Sequence, residues 1–245
     1  MKAAPWFFAP QGSWGEREVV LPPDESRHAL RVLRIAPPDV IAVTDGCGVV
    51  AICAAARVDD DRLVAEVLDR EERRRPRPEI VVYQGAAKGH KLDDVVERLA
   101  ELGIAELWAY ESARSVVRWD KAKVDRLNDR WAAIARSAAK QSRNPYTIHA
   151  RAGVSWTELL RRLAQEPLVI ALWEEALLPL RTALAGHADR VALIVGPEGG
   201  LAAQEAEQLA DAGAQLVSLG PQILRTENAP VIATSALLYH YGLIG

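Results

Sequence analysis

Cysteine is nearly absent from this chain: Cys47 and Cys53 are the only two in 245 residues. Two thiols exclude a disulfide framework and point to a reducing, cytoplasmic setting. Both read as small buried hydrophobes. Long apolar runs are lacking too. No stretch reaches the roughly 18 residues that a membrane-spanning helix needs, so no membrane partner is expected. The opening MKAAPWFFAPQGSWGE has only a short apolar patch broken by prolines, and reads as mature protein, not a signal peptide. Common site motifs are missing as well. There is no G-x-x-x-x-G-K-[ST], hence no P-loop. There is no G-x-G-x-x-G, and the strand expected at 215–219 ends without the acid that would hold a ribose. There is no G-x-S-x-G elbow. His28, His90, His149, His187 and His240 are scattered, with no pair at metal-ligand spacing, so each reads as a surface or packing residue and no metal is expected.

What is present is an ordinary soluble composition, 49% hydrophobic and 26% charged, with a net charge of −3. The distribution of that charge says more than its sum. Residues 114–151 hold 10 basic and 3 acidic side chains, a local excess of +7 inside an acidic protein. Such a segment is either a solvated helix face or a phosphate-binding surface. Arg27, Arg31 and Arg34 form a second basic strip.

Residues 69–78, DREERRRPRP, mark the clearest boundary, being charged, proline-punctuated and without an apolar face. Before it the pattern predicts short strands at 40–44, 49–58 and 62–68, with a hairpin at Asp45-Gly46 and one helix over 25–34. A small β-barrel or curled sheet fits this. After it, strands at 80–83, 104–110, 168–173, 191–195 and 215–219 alternate with helices at 92–102, 120–142, 201–212 and 229–241. Gly103 and Gly213 are placed to end two of those helices. Such alternation predicts an α/β domain with a mostly parallel sheet, whose ligands sit at the carboxyl ends of the strands.

Two of those ends stand out: Gly196-Pro197-Glu198-Gly199-Gly200, and Leu219-Gly220 followed by Gln222-Ile223-Leu224-Arg225-Thr226-Glu227-Asn228. Each is a strand, a Gly-Pro, a loop with a carboxylate, then a helix. Glycine there permits positive φ, or lets another group approach the backbone.

These residues resemble the RsmE family of 16S rRNA uracil-N3 methyltransferases, in the SPOUT superfamily. GPEGG with Glu205, and LG followed by ILRTE, carry the resemblance. Lys88-Gly89-His90-Lys91-Leu92-Asp93, Glu101-Leu102-Gly103-Ile104, Ser112-Ala113-Arg114-Ser115, Gln141-Ser142-Arg143 and the His28 to Arg34 segment agree with it. The resemblance runs from about residue 20 to the end. Gln222 stands where the family pattern has arginine and Asn228 where it has threonine. Losing the arginine puts one phosphate contact in doubt, whereas Asn228 is still an expected N-cap for the last helix.

The resemblance implies an N-terminal PUA-like RNA-binding β-barrel over residues 1–72. It implies a SPOUT α/β methyltransferase domain over 73–245, with a C-terminal trefoil knot and a homodimer. It implies S-adenosylmethionine as cofactor, held by Leu172, Gly196, Pro197, Glu198, Gly199, Gly200, Leu219, Gly220, Ile223, Leu224, Thr226 and Ala229. It implies a uridine near the 3′ end of 16S rRNA in the small ribosomal subunit as substrate, methylated at N3. Arg225 would stabilise the negative charge developing on the uracil, unless it pairs with Glu198 or Glu227. Glu227 is the candidate proton acceptor, or else an acid stabilised by the last helix's dipole. Arg27, Arg31, Arg34, Lys88, Arg114, Arg118, Arg136, Lys140 and Arg143 are expected to contact RNA; for Lys88 and Lys91 a solvated helix start is the alternative. A SPOUT methyltransferase for another RNA nucleotide, or a non-catalytic RNA-binding protein, are the rival readings.

Overall fold

The structure is a computed structural model that describes residues 4–184 and 188–245; His187 lies outside the described residues. The chain divides into two compact units. The described residues up to Arg75, together with Arg136–Thr147, form the first, and Pro76–Ala135 with Ile148–Gly245 form the second. The segment 136–147 therefore packs with the N-terminal residues, although the sequence puts it on the C-terminal side of the boundary.

The first unit contains a five-stranded sheet in the order β1-β3-β4-β5-β2. Its strands are β1 (Trp6–Phe8), β2 (Glu18–Val20), β3 (Val40–Thr44), β4 (Val49–Asp59) and β5 (Arg62–Glu72). Alternation along them buries Phe7, Val19, Ile41, Val43, Cys53 and Leu63 in one core. The predicted hairpin turn is present: Asp45 Oδ1 accepts from the Cys47 and Val49 amides, and Gly46 takes φ +75°. Cys47 is exposed, against expectation, because it sits on that turn. The helix expected over 25–34 starts earlier, as α1 (Pro23–Arg27), since a proline suits the first helical turn. It then widens into a π turn, His28–Val32, and Arg34 leaves at φ +57°.

The second unit is an α/β layer around a six-stranded parallel sheet, ordered β11-β9-β10-β6-β7-β8. The strands are β6 (Glu79–Gly85), β7 (Glu106–Tyr110), β8 (His149–Val154), β9 (Val169–Leu172), β10 (Arg190–Val195) and β11 (Gln215–Val217). The helices are α2 (Lys91–Glu101), α3 (Lys121–Ser142, of which the part from Arg136 on belongs to the first unit), α4 (Trp156–Leu163), α5 (Leu180–Ala183), α6 (Ala203–Asp211) and α7 (Ala229–His240). The central strands are buried on both faces and read as near-continuous apolar runs for that reason. Gly103 at φ +77° and Gly213 at φ +89° follow α2 and α6 as expected. On α3, Trp131 is buried, and its indole N–H donates to Asp93 Oδ1 at 2.9 Å. Among the described residues no helix is long and apolar enough to cross a membrane.

Arg190 opens β10 and donates to three carboxylates: Glu79 at 3.0 Å, Glu106 at 2.8 Å and Glu166 at 2.9 Å. These acids come from β6, from β7 and from the chain before β9, so one guanidinium ties their amino ends together. Burial pushes the Glu106 carboxyl up, but hydrogen bonds from Arg190 and from the Trp108 indole outweigh it and hold it below the usual carboxylate range. Arg190→Met should leave three acids facing each other and cost roughly 3 kcal/mol, read by chemical denaturation. A depressed carboxylate stabilises fully above the unfolded value of about 4.3 and loses that contribution as pH falls through the lower folded value. The variant should lack that part of the acid limb of the stability curve.

Candidate active site

The carboxyl ends of β6, β9, β10 and β11 lie side by side in the sheet, and the loops that leave them meet. Gln84 is the one polar residue in the buried run that ends β6, and it is fully buried. Its amide nitrogen donates to Thr226 Oγ1 at 2.9 Å and to Gly196 O at 3.2 Å. The Thr226 hydroxyl in turn donates to Gly196 O at 2.8 Å. One buried threonine thus locks the ILRTE loop onto the GPEGG loop, across thirty residues of sequence. The spacing gives no sign of this pairing; a lone glutamine closing an apolar strand is the signal that could have suggested it.

The glycines answer to the protein's own backbone and side chains. A Cβ on Gly85 would lie 2.3 Å from Pro197 N, and one on Gly196 would lie 3.0 Å from Gly200 C. Gly200 has φ +69°, and a side chain there would meet Glu174 Oε1 at 2.5 Å. The Arg114 guanidinium donates to Gly199 O at 3.1 Å and Leu201 O at 3.2 Å, closing the same loop from the other side.

The two loop carboxylates share one cation. Lys91 Nζ is 3.1 Å from Glu198 Oε1 and 3.6 Å from Glu227 Oε2. Burial raises the Glu198 pKa, but the backbone amides of Lys88 and of Glu198 itself, with the Lys91 ammonium, together hold it below the usual range. Lys91 thus opens α2 part-exposed and serves as counter-ion to both acids. Glu227 Oε2 is buried and has no hydrogen-bond donor among the described residues. Arg225 is exposed and pairs with neither Glu198 nor Glu227; no ion pair holds it among the described residues. Asn228 precedes α7 but does not cap it, because its backbone is already helical (φ −92°, ψ −36°). Its side-chain oxygen instead accepts from Arg98 at 3.5 Å.

Around these loops Leu172 ends β9 half-buried, Leu219 and Leu224 are half-buried, Gly220 turns at φ +130°, and Ala229 begins α7 buried. Ile223 is 91% exposed. The backbone N–H groups of Leu219 and Leu224 have no hydrogen-bond partner among the described residues. A glycine-lined shelf with unpartnered backbone donors and half-buried leucines suits the flat, polar-edged adenine of a cofactor such as S-adenosylmethionine. No group of three or more His, Cys, Asp or Glu side chains among the described residues is placed to hold a metal ion.

The expected RNA contacts divide. In the first unit Lys140 is bonded to Glu25, and Arg136 stands over the Phe8 ring at 6.0 Å. Lys140 and Arg136 thereby bring the end of α3 to α1, joining the basic strip of Arg27, Arg31 and Arg34, which is exposed, as is Arg143. In the second unit Arg118 donates to Glu111 at 3.3 Å and to Ser112 O at 3.0 Å. The Lys88 side chain is exposed, while its backbone amide donates to Glu198 at 3.0 Å.

Residues 73–238 match the RNA methyltransferase domain family. The ribosomal RNA small subunit methyltransferase E of Mycobacterium bovis is 37% identical over 218 residues, 87% of this chain and 83% of that protein. The protein of the same name from Bacillus subtilis is 30% identical, over 90% of both chains. This chain belongs to the ribosomal RNA small subunit methyltransferase E family. Among solved structures, that of the family member from Neisseria gonorrhoeae bound to S-adenosyl methionine is 27% identical. It covers 97% of this chain and 98% of that one, with a TM-score of 0.83. A mixed α/β fold is therefore shared across the family.

Thr226→Val removes the hydroxyl that bridges Gln84 and Gly196 while keeping the shape. It should cost about 1.5 kcal/mol by denaturant titration, because one buried donor and one acceptor lose a partner. Gly85→Ala should be worse than Thr226→Val in the same assay, since its Cβ meets backbone and not a movable side chain.

Proposed function

We propose that this chain is an S-adenosylmethionine-dependent methyltransferase that acts on the small ribosomal subunit, placing a methyl group on N3 of a uridine near the 3′ end of 16S rRNA. The observation that carries the reading is the locked pair of loops: Lys91 stands between their two acids while Arg225 stays unpaired beside them. Membership of the family supports the substrate class.

When bound, S-adenosylmethionine supplies an electrophilic methyl group on a sulfonium. Leu172, the Gly196 to Gly200 loop, Leu219, Gly220, Ile223, Leu224 and Ala229 would hold it through backbone groups and apolar contact. Thr226 and Glu198 serve the same site by bracing, since their polar atoms are engaged within the protein. Uracil N3 must lose its proton, and negative charge then spreads over N3 and O4. Arg225 is free to stabilise that charge. We assign proton acceptance to Glu227, whose Oε2 lacks a hydrogen-bond donor. Fixed loops keep donor and acceptor in line, which supplies much of the rate.

We assign residues 1–72 to a PUA-like RNA-binding barrel and 73–245 to the SPOUT domain. The basic groups that meet around α1 and the end of α3 suit structured RNA, where phosphate contacts matter as much as base contacts. A C-terminal trefoil knot is supported by the path of the chain. After β11, at the sheet edge, it returns through the ILRTE loop, and α7 packs against α2, β6 and β10. Exposed apolar residues on α7, Ile232 and Tyr239, suit a homodimer contact. A cytoplasmic location follows from the substrate.

Methyl transfer from labelled S-adenosylmethionine to small subunits lacking the modification tests this, with reverse transcription locating the product, since N3 methylation blocks the pairing edge. One stop near the 3′ end is expected, and Arg225→Ala should slow transfer roughly 100-fold. Label without a stop would point to a 2′-hydroxyl or another RNA. Absence of both label and cofactor binding would overturn the enzyme reading.

A further inference from the structure

A cavity of about 750 Å³ opens in the second unit, at the carboxyl ends of β7 and β8. None of the residues assigned above to the methyl donor lines it. It nevertheless shares a wall with the GPEGG loop. Ala113 and Ala202 line it, and Arg114, next to Ala113, is bonded to Gly199 and Leu201 just before Ala202. Tyr110, the last residue of β7, donates its hydroxyl to Val195 O at 3.1 Å, tying the strand end under the cavity to the strand end under that loop.

Two acids line the cavity, and both are used up by its wall. Glu205 accepts from the Ala113 amide at 2.7 Å and the Ala202 amide at 2.9 Å. Glu111 accepts from the Trp119 amide at 2.8 Å and from Arg118 at 3.3 Å. Trp156, on the opposite lining segment, is fixed by its indole bond to Gln208 at 2.6 Å. What is left unused is an indole, an ammonium and an amide. Trp119 is a half-buried indole whose N–H has no partner among the described residues. Lys121 is exposed and has no ion pair among the described residues, and the Gln204 amide is equally unengaged.

A free aromatic face, a free ammonium and a free amide in a cleft of this size are the groups that hold an unstacked base and its phosphate. We propose that the cavity binds a nucleotide of the RNA substrate next to the target base, stacked on Trp119 with a phosphate at Lys121 and a base edge at Gln204. This rests on the reading of the protein as an RNA-modifying enzyme, but not on which atom is methylated. It places a second, non-reacting nucleotide on the same edge of the sheet as the methyl donor, on the far side of the GPEGG loop.

The test uses the full-length protein, small ribosomal subunits, and a labelled single-stranded oligoribonucleotide with the sequence of the 3′ end of 16S rRNA. Trp119→Ala should weaken oligonucleotide binding roughly tenfold, and Trp119→Phe should stay within about twofold of the parent, because a ring is retained. Lys121→Ala should weaken binding and lower the slope of log affinity against log salt by about one. S-adenosylmethionine affinity should not change in any of the three. If Trp119→Ala and Lys121→Ala bind RNA and methylate small subunits as the parent does, the proposal is overturned. If no RNA is methylated but the binding losses appear, the cavity assignment stands and the methyl-transfer reading falls. Should Trp119→Ala unfold, Trp119→Leu and Lys121→Ala carry the same test.

Discussion

The Thr226 hydroxyl sits between the Gln84 amide and the Gly196 carbonyl, and the arrangement of the candidate active site depends on that small bridge. All three groups are buried or nearly so, where a hydrogen bond that is made is modest but one left unmade costs far more. The bridge fixes the distance between two loops that come from strands well apart in sequence. The glycines then follow as necessities. Gly85 lets Pro197 lie directly on the end of β6, and Gly200 takes a backbone conformation that other residues rarely adopt, beside Glu174.

Charge is sorted around that bridge. Three acids near the loops have a partner inside the protein: Lys91 for Glu198 and Glu227, backbone amides for Glu205. Arg114 is used on loop carbonyls. Arg225 and the Lys88 side chain are cations beside the loops that no ion pair holds among the described residues. The same sorting recurs beside Trp119, where acids face the wall and donors face the open cavity. A negatively charged substrate meets an unpaired cation in each place, Arg225 in one and Lys121 in the other, although the protein as a whole is acidic.

The α/β alternation was legible because buried parallel strands are short apolar runs and helices carry a 3.6-residue period. It failed where those signals are weak. β8, His149–Val154, holds an arginine and a glycine in six residues, so no run shows. α4 follows it, and Ser155 caps it by accepting from the Glu158 amide at 3.2 Å, a Ser-x-x-Glu signal that was available. β1 and β2 have three residues each and exist only because a sheet was there to receive them. Asn228 was expected to cap α7 from its residue type. Backbone dihedrals decided otherwise, and its carbonyl oxygen went to Arg98.

By itself the sequence determined the family, the strands and helices after the boundary that carry a clear apolar run or period, and the identity of the two glycine-rich loops. Each of these is local: a period, a turn residue, or a short motif read along the chain. Only the tertiary structure decided which groups are spent and which are free. Thr226 became a brace, Lys91 a shared counter-ion and Arg225 an unpaired cation. Residues 136–147 joined the N-terminal unit, through Lys140 on Glu25 and Arg136 over Phe8. Hydrogen bonds and ion pairs of this kind act within about 4 Å in space. Residues that meet at that distance here lie from 30 to 142 positions apart in the chain, and no reading along the sequence measures it.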